Sequence, residues 1–141
     1  MRRLGLPIVG IMALGLVLGT GCSSSGSMSS SSSTTRAPED ILVSNATVAT
    51  GLAALRTLAG TASSEAKTNP EAAKKTATRA HDQWAKVEGR VKKNDPDAYL
   101  QFEDALTNLT VGAKDQDAAK VARGASGVAT AAAAYLAKYP G

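Results

Sequence analysis

The sequence predicts an all-α protein: a small antiparallel up-down-up-down four-helix bundle that follows a signal peptide and a serine-rich tether. Three observations carry this. Four stretches between Pro38 and Tyr139 place apolar residues three and four apart, the repeat of one helix face, and no stretch alternates with the period of a strand. Two of the four open on a capping residue followed by proline, whose missing N–H costs nothing at the first helical position. The links between stretches are short, and short links favour antiparallel neighbours.

The first stretch runs from about Pro38 to Ser64, with Ile41, Val48, Leu55 and Ala62 seven apart and Leu52 and Ala59 alongside. Pro38, Glu39 and Asp40 suit a first turn, where acids meet the positive end of the helix dipole. The second opens on Asn69-Pro70 and carries Ala73, Ala77, Ala80, Trp84, Val87 and Val91 as one continuous stripe ending at Asn94. The third opens on Asp95-Pro96 and carries Tyr99, Phe102, Leu106, Leu109 and Ala113, with Gly112 suited to its end. The fourth begins near Asp115 or Asp117 and carries Ala118, Val121, Ala125, Val128, Ala132, Tyr135 and Tyr139. Alanine-rich stripes, with Gly124 and Gly127 in the fourth, predict close helix packing. Trp84, Tyr99, Phe102, Leu106, Leu109 and Tyr135 are then left to fill most of the core.

Ahead of the helices, Met1-Arg2-Arg3, the apolar run from Leu4 to Leu18 and Gly19-Thr20-Gly21 have the order of a secretory signal peptide. The run falls slightly short of the ~20 apolar residues of a membrane-spanning helix. The only cysteine, Cys22, follows directly. This segment resembles the lipobox of bacterial lipoproteins, with the family's leucine shifted by one position to Leu18. The resemblance implies cleavage before Cys22, acylation of its thiol and anchoring to a membrane at the cell envelope. A retained anchor and an ordinary cleaved signal are the alternatives. Residues 23 to 36, almost all serine, glycine and threonine, have no apolar periodicity and are expected to form a flexible tether. The expected organisation is therefore a signal peptide over residues 1–21, the acylated cysteine and tether over 22–37, and the bundle over 38–141. With no second cysteine, disulfides contribute nothing to the fold.

The net charge of +4 includes Arg2 and Arg3; without them the excess is about +2, too small to argue for nucleic acid. The basic residues from Lys74 to Lys93 read as a solvated helix face, or as a weak attraction to anionic lipid head groups. Catalysis lacks its parts. Beyond Cys22 there is no thiol, the serines crowd into the tether, His81 has no partner by spacing, and there is no glycine-rich phosphate loop. The chain is expected not to be an enzyme.

One constellation carries possible chemistry. Glu88 follows Val87 and Glu103 follows Phe102, so both carboxylates flank the apolar stripe. Seven and eight residues from Asp95, they fall at nearly the same level of an antiparallel hairpin. His81 lies ~10.5 Å along the axis from Glu88 at 1.5 Å per residue. The run WAKVEGRVKKNDPDAYLQFEDAL, residues 84 to 106, resembles a hairpin in the periplasmic helical domains of iron permeases and, more distantly, of imelysin-type uptake lipoproteins. That resemblance implies iron or another divalent metal held by Glu88 and Glu103, with His81 as a third candidate ligand. The expected function is a lipid-anchored binding or accessory module of the cell envelope. The alternative is a structural or interaction lipoprotein that docks a membrane partner. Burial decides between them: half-buried, convergent carboxylates favour metal, and solvated ones favour docking.

Overall fold

The computed structural model describes Ala37 and residues 42–141. The signal segment, Cys22 and most of the tether lie outside the described residues. Among those described there are five helices and no strand: α1 (Asn45–Glu65), α2 (Pro70–Trp84), α3 (Glu88–Asn94), α4 (Pro96–Lys114) and α5 (Ala118–Lys138). The protein is all-α. Helix α1 packs against α2 and α5, and α4 packs against α5, α2 and α3. The core lies between them.

The starts follow the capping residues. Ser44, Asn69, Asp95 and Asp117 each accept a backbone N–H from the first turn of α1, α2, α4 and α5, satisfying donors that have no partner within the helix. Helix α1 differs from expectation here. It starts at Asn45 and not near Pro38, because Ser44 is extended and its hydroxyl takes the N–H of Thr47, and residues 42–44 are not helical. Pro38, Glu39, Asp40 and Ile41 lie outside the described residues.

The expected second helix is broken. After Trp84 the amides of Lys86 and Val87 bond to the carbonyls of Gln83 and Trp84, three residues back instead of four. The chain turns through Ala85–Val87 before α3 begins. The break has a packing reason. Val87, Glu88 and Gly89 are consecutive and all buried, and successive helical residues point 100° apart, so one straight helix cannot bury three in a row on one face. Val87 fits against α1 where Gly51 has no side chain; a Cβ on Gly51 would lie 2.6 Å from Val87 Cγ1.

Helix α4 does not stop at Gly112. It passes through it to Lys114, and Gly112 is where α4 meets α5: a Cβ there would lie 2.8 Å from the amide nitrogen of Val121. The turn beyond is a Schellman motif. Asp117 N–H bonds to Gly112 O, and Gln116 N–H to Ala113 O. The residue that reverses the chain is Gln116 at φ +57°, the left-handed region that glycine adopts without steric cost. Gln116→Gly is therefore expected to raise the unfolding free energy by about 1 kcal/mol, read as a higher urea midpoint at unchanged slope; a lower midpoint contradicts the strain.

Trp84, Phe102, Tyr135, Leu106 and Leu109 are buried as expected, joined by Leu52 and Leu55 of α1; Tyr99 is only half-buried, packed on the edge of the core. Most of the polar side-chain bonds between distant parts of the chain gather at one end. Arg90 Nε donates to Val43 O at 2.6 Å, and Asn94 Nδ2 donates to Tyr135 Oη at 2.8 Å and to Asn45 Oδ1 at 3.2 Å. Tyr139 Oη donates to Asn94 O at 2.8 Å, and Lys138 pairs with Asp95 at 2.9 Å. The segment leading into α1, the α3–α4 turn and the last turn of α5 are thus joined side by side. Asp95 both caps α4 and binds Lys138. The Lys138 ammonium first, and the Ala98 N–H second, hold its carboxyl below the usual range. Burial pushes the Tyr135 hydroxyl up, against the Asn94 hydrogen bond, which lowers it.

Candidate functional site

Of the residues singled out in the sequence, Glu103 meets Trp84, the last residue of α2. Its indole is 1% exposed, and a buried indole N–H needs an acceptor. It finds Glu103: Nε1 donates to Oε1 at 2.6 Å, a bond shortened by the carboxylate's charge. The ring face meets the preceding residue on α4. Trp84 and Phe102 centroids are 4.6 Å apart at 29°, and the Tyr99 centroid lies 6.0 Å from that of Trp84. Consecutive residues of α4 therefore serve one indole, Phe102 by its face and Glu103 by its edge. Lys92 of α3 places Nζ 5.2 Å from the Tyr99 ring centroid, a cation–π contact at the rim of this cluster.

Glu88 opens α3 and is 7% exposed, in the first turn where the helix dipole favours an acid. Glu103 is half-buried and His81 is exposed on α2. The burial of the two carboxylates is what a ligand site requires; the rest of the arrangement is not. One oxygen of Glu103 is engaged by Trp84. Among the described residues no group of three or more His, Cys, Asp or Glu side chains is placed to hold a metal ion.

Spacing marks Trp84 as core and Glu103 as a candidate metal ligand beside the stripe, and does not join the two. Only half of the signal is in the sequence: an indole predicted to be buried has one donor to satisfy and Glu103 neighbours the stripe on the facing helix, while the geometry that joins them depends on where α2 ends. Also missed were Asn94 and Arg90, whose bonds tie three segments of the chain together. Two shallow grooves flank α5. One, against α4, is lined by Asp104, Asn108, Arg123 and Thr130. The other, against α1, is lined by Arg56, Thr57, Gly60, Ala125 and Ala129. No helix among the described residues is long and apolar enough to cross a membrane. Comparison with protein-family models, curated proteins and solved structures finds no match.

Proposed function

We propose that this chain is a lipid-anchored accessory module of the cell envelope, held by acyl chains on Cys22, whose helical domain works by contact with a partner surface and not by catalysis. The observation that carries the reading is the order of the N-terminal segment: two arginines, an apolar run, small residues and the only cysteine. The domain is read as a four-helix up-down-up-down bundle in which α2 and α3 form one interrupted arm. Supporting this are the packing of α1 on α2, α2 on α4, α4 on α5 and α5 on α1, and the polar bonds that gather the start of α1, the α3–α4 turn and the end of α5.

Between metal binding and docking, docking is the better supported. Glu103 already accepts the Trp84 N–H, which gives that carboxylate a structural task, and His81 stands exposed on a helix face. The burial of Glu88 and Glu103 is the one observation that favours a divalent cation such as iron.

The test of anchoring is Cys22→Ser in cells. The wild-type chain is expected in the membrane fraction, carrying the added mass of its acyl chains. The serine variant should lose that mass, and either leave the membrane or keep its uncut N-terminal segment. A variant that remains processed and membrane-bound at the wild-type mass overturns the anchor.

A further inference from the structure

We propose that the groove between α4 and α5 binds a short peptide by its two free ends, the ammonium at Asp104 and the carboxylate at Arg123. The inference goes beyond the envelope reading and does not rest on it. Small residues make the floor. Gly127 faces α4, where a Cβ on it would lie 2.9 Å from Ala105 Cβ, and Ala131 continues the floor one turn on. Longer polar side chains stand on both banks: Gln101, Asp104 and Asn108 on α4, and Arg123, Ser126 and Thr130 on α5. The space between them is about 360 Å³, at the low end of the range for small-ligand sites.

The two charges are placed for a ligand of both signs. Gly127 lies against Ala105 and Gly124 against Leu109, so Arg123 stands level with Asn108 on the opposite bank. Asp104 is one turn from that level, ~6 Å along the axis at 1.5 Å per residue. Among the described residues neither side chain has a polar partner, and Asn108 donates only to the backbone carbonyl of Asp104. An unpaired carboxylate and an unpaired guanidinium, one turn apart across a groove, complement an ammonium and a carboxylate at the same spacing. An extended chain advances ~3.3–3.6 Å per residue, so two residues span the interval and a single amino acid does not. The guanidinium fork takes a carboxylate by two parallel bonds. The amides and hydroxyls along the banks are left for the peptide group between the ends. Quaternary ammonium head groups fit less well, because aromatic faces hold them and no aromatic residue lines this groove. The groove between α1 and α5 carries Arg56 without an acid and lacks the complement.

The test is titration of the isotope-labelled full chain, in maltoside detergent, with alanyl-alanine, its N-acetyl form, its C-terminal amide and free alanine. Binding is read from the amide signals of Gly127 and Ala105. The groove is shallow and both charges are exposed, so a Kd on the order of millimolar is expected. Capping either end of the peptide should weaken binding about tenfold, the low end for a hydrogen bond to a charged group. Free alanine should bind no better than the capped forms. The variants separate the two ends. Asp104→Asn should erase the preference for the free ammonium and keep that for the free carboxylate, and Arg123→Gln should do the reverse. Both side chains are exposed, so the urea midpoints of the two variants should match wild type. No shift at Gly127 and Ala105 at about 50 mM alanyl-alanine, far above a millimolar Kd, overturns the proposal. Equal binding of the free and capped peptides, or variants that keep both preferences, overturns it too. Glycerophosphoethanolamine carries an ammonium and a phosphate; if it binds more tightly than alanyl-alanine, the groove takes a lipid head group and the peptide assignment falls.

Discussion

Gly124→Ala is expected to destabilise the protein by about 2–3 kcal/mol, although alanine gains ~1 kcal/mol over glycine in helix propensity. The loss comes from what the added methyl would strike. A Cβ on Gly124 would collide with the amide nitrogen of Leu109, and would lie 2.7 Å from Ala105 O and 2.8 Å from Leu109 Cα. All three are backbone atoms of α4, so no rotamer change can make room and the two helices must part locally. The series of glycines gives the control. At Gly127 the obstacle is one methyl, Ala105 Cβ at 2.9 Å, and Gly127→Ala should cost less. At Gly60 nothing lies within 4 Å, and Gly60→Ala should stabilise, by up to ~1 kcal/mol. Urea midpoints of the three variants should rank Gly60→Ala above wild type, then Gly127→Ala, then Gly124→Ala. A neutral Gly124→Ala would mean that α4 and α5 are not in backbone contact.

The close approach at Gly124 was legible because a glycine inside an apolar helical stripe has few other uses. The caps at Asn69, Asp95 and Asp117 were legible for the same kind of reason: the residue type, the following proline or apolar run, and the chemistry of a helix start all agree. The break at Ala85–Val87 was not. Trp84, Val87 and Val91 keep three- and four-residue spacing whether the helix continues or turns, so periodicity cannot register it. What decides it is the burial of Val87, Glu88 and Gly89 together, and that depends on Gly51 of α1, far away in sequence. The start of α1 was misplaced because proline and acids at residues 38–40 are good first-turn residues, but Ser44 is a better cap. Gly112 suits a terminus by residue type; its use is packing against α5. For the site, spacing could put Glu88 and Glu103 beside the core. It could not say that the indole N–H of Trp84 takes Glu103 first, because that depends on how α2 ends, and α2 ends at the break.

Trp84→Ala is expected to cost ~3–5 kcal/mol, the range for deleting a buried aromatic ring. Three contacts go at once: the 4.6 Å stack on Phe102, the looser one on Tyr99, and the 2.6 Å bond to Glu103. Because α2 stops at Trp84 and the chain turns, the ring also fixes where α2 meets α4, and small alanines around it cannot fill the space it leaves. Trp84→Phe separates the parts. It keeps an aromatic face for Phe102 and removes the donor. Glu103 is half-buried and can turn to water, so the lost hydrogen bond should cost about 1–2 kcal/mol on top of the smaller ring's lost packing. Glu103→Gln leaves an acceptor in place and should cost less than removing the donor, because only the charge assistance is lost. If the 2.6 Å bond is the link between these residues, the Trp84→Phe, Glu103→Gln double variant will be less destabilised than the sum of the two single variants. Additive effects in that cycle would show that the indole and the carboxylate are neighbours without being partners. A loss below 1 kcal/mol for Trp84→Ala would place the ring on the surface and contradict the core described above.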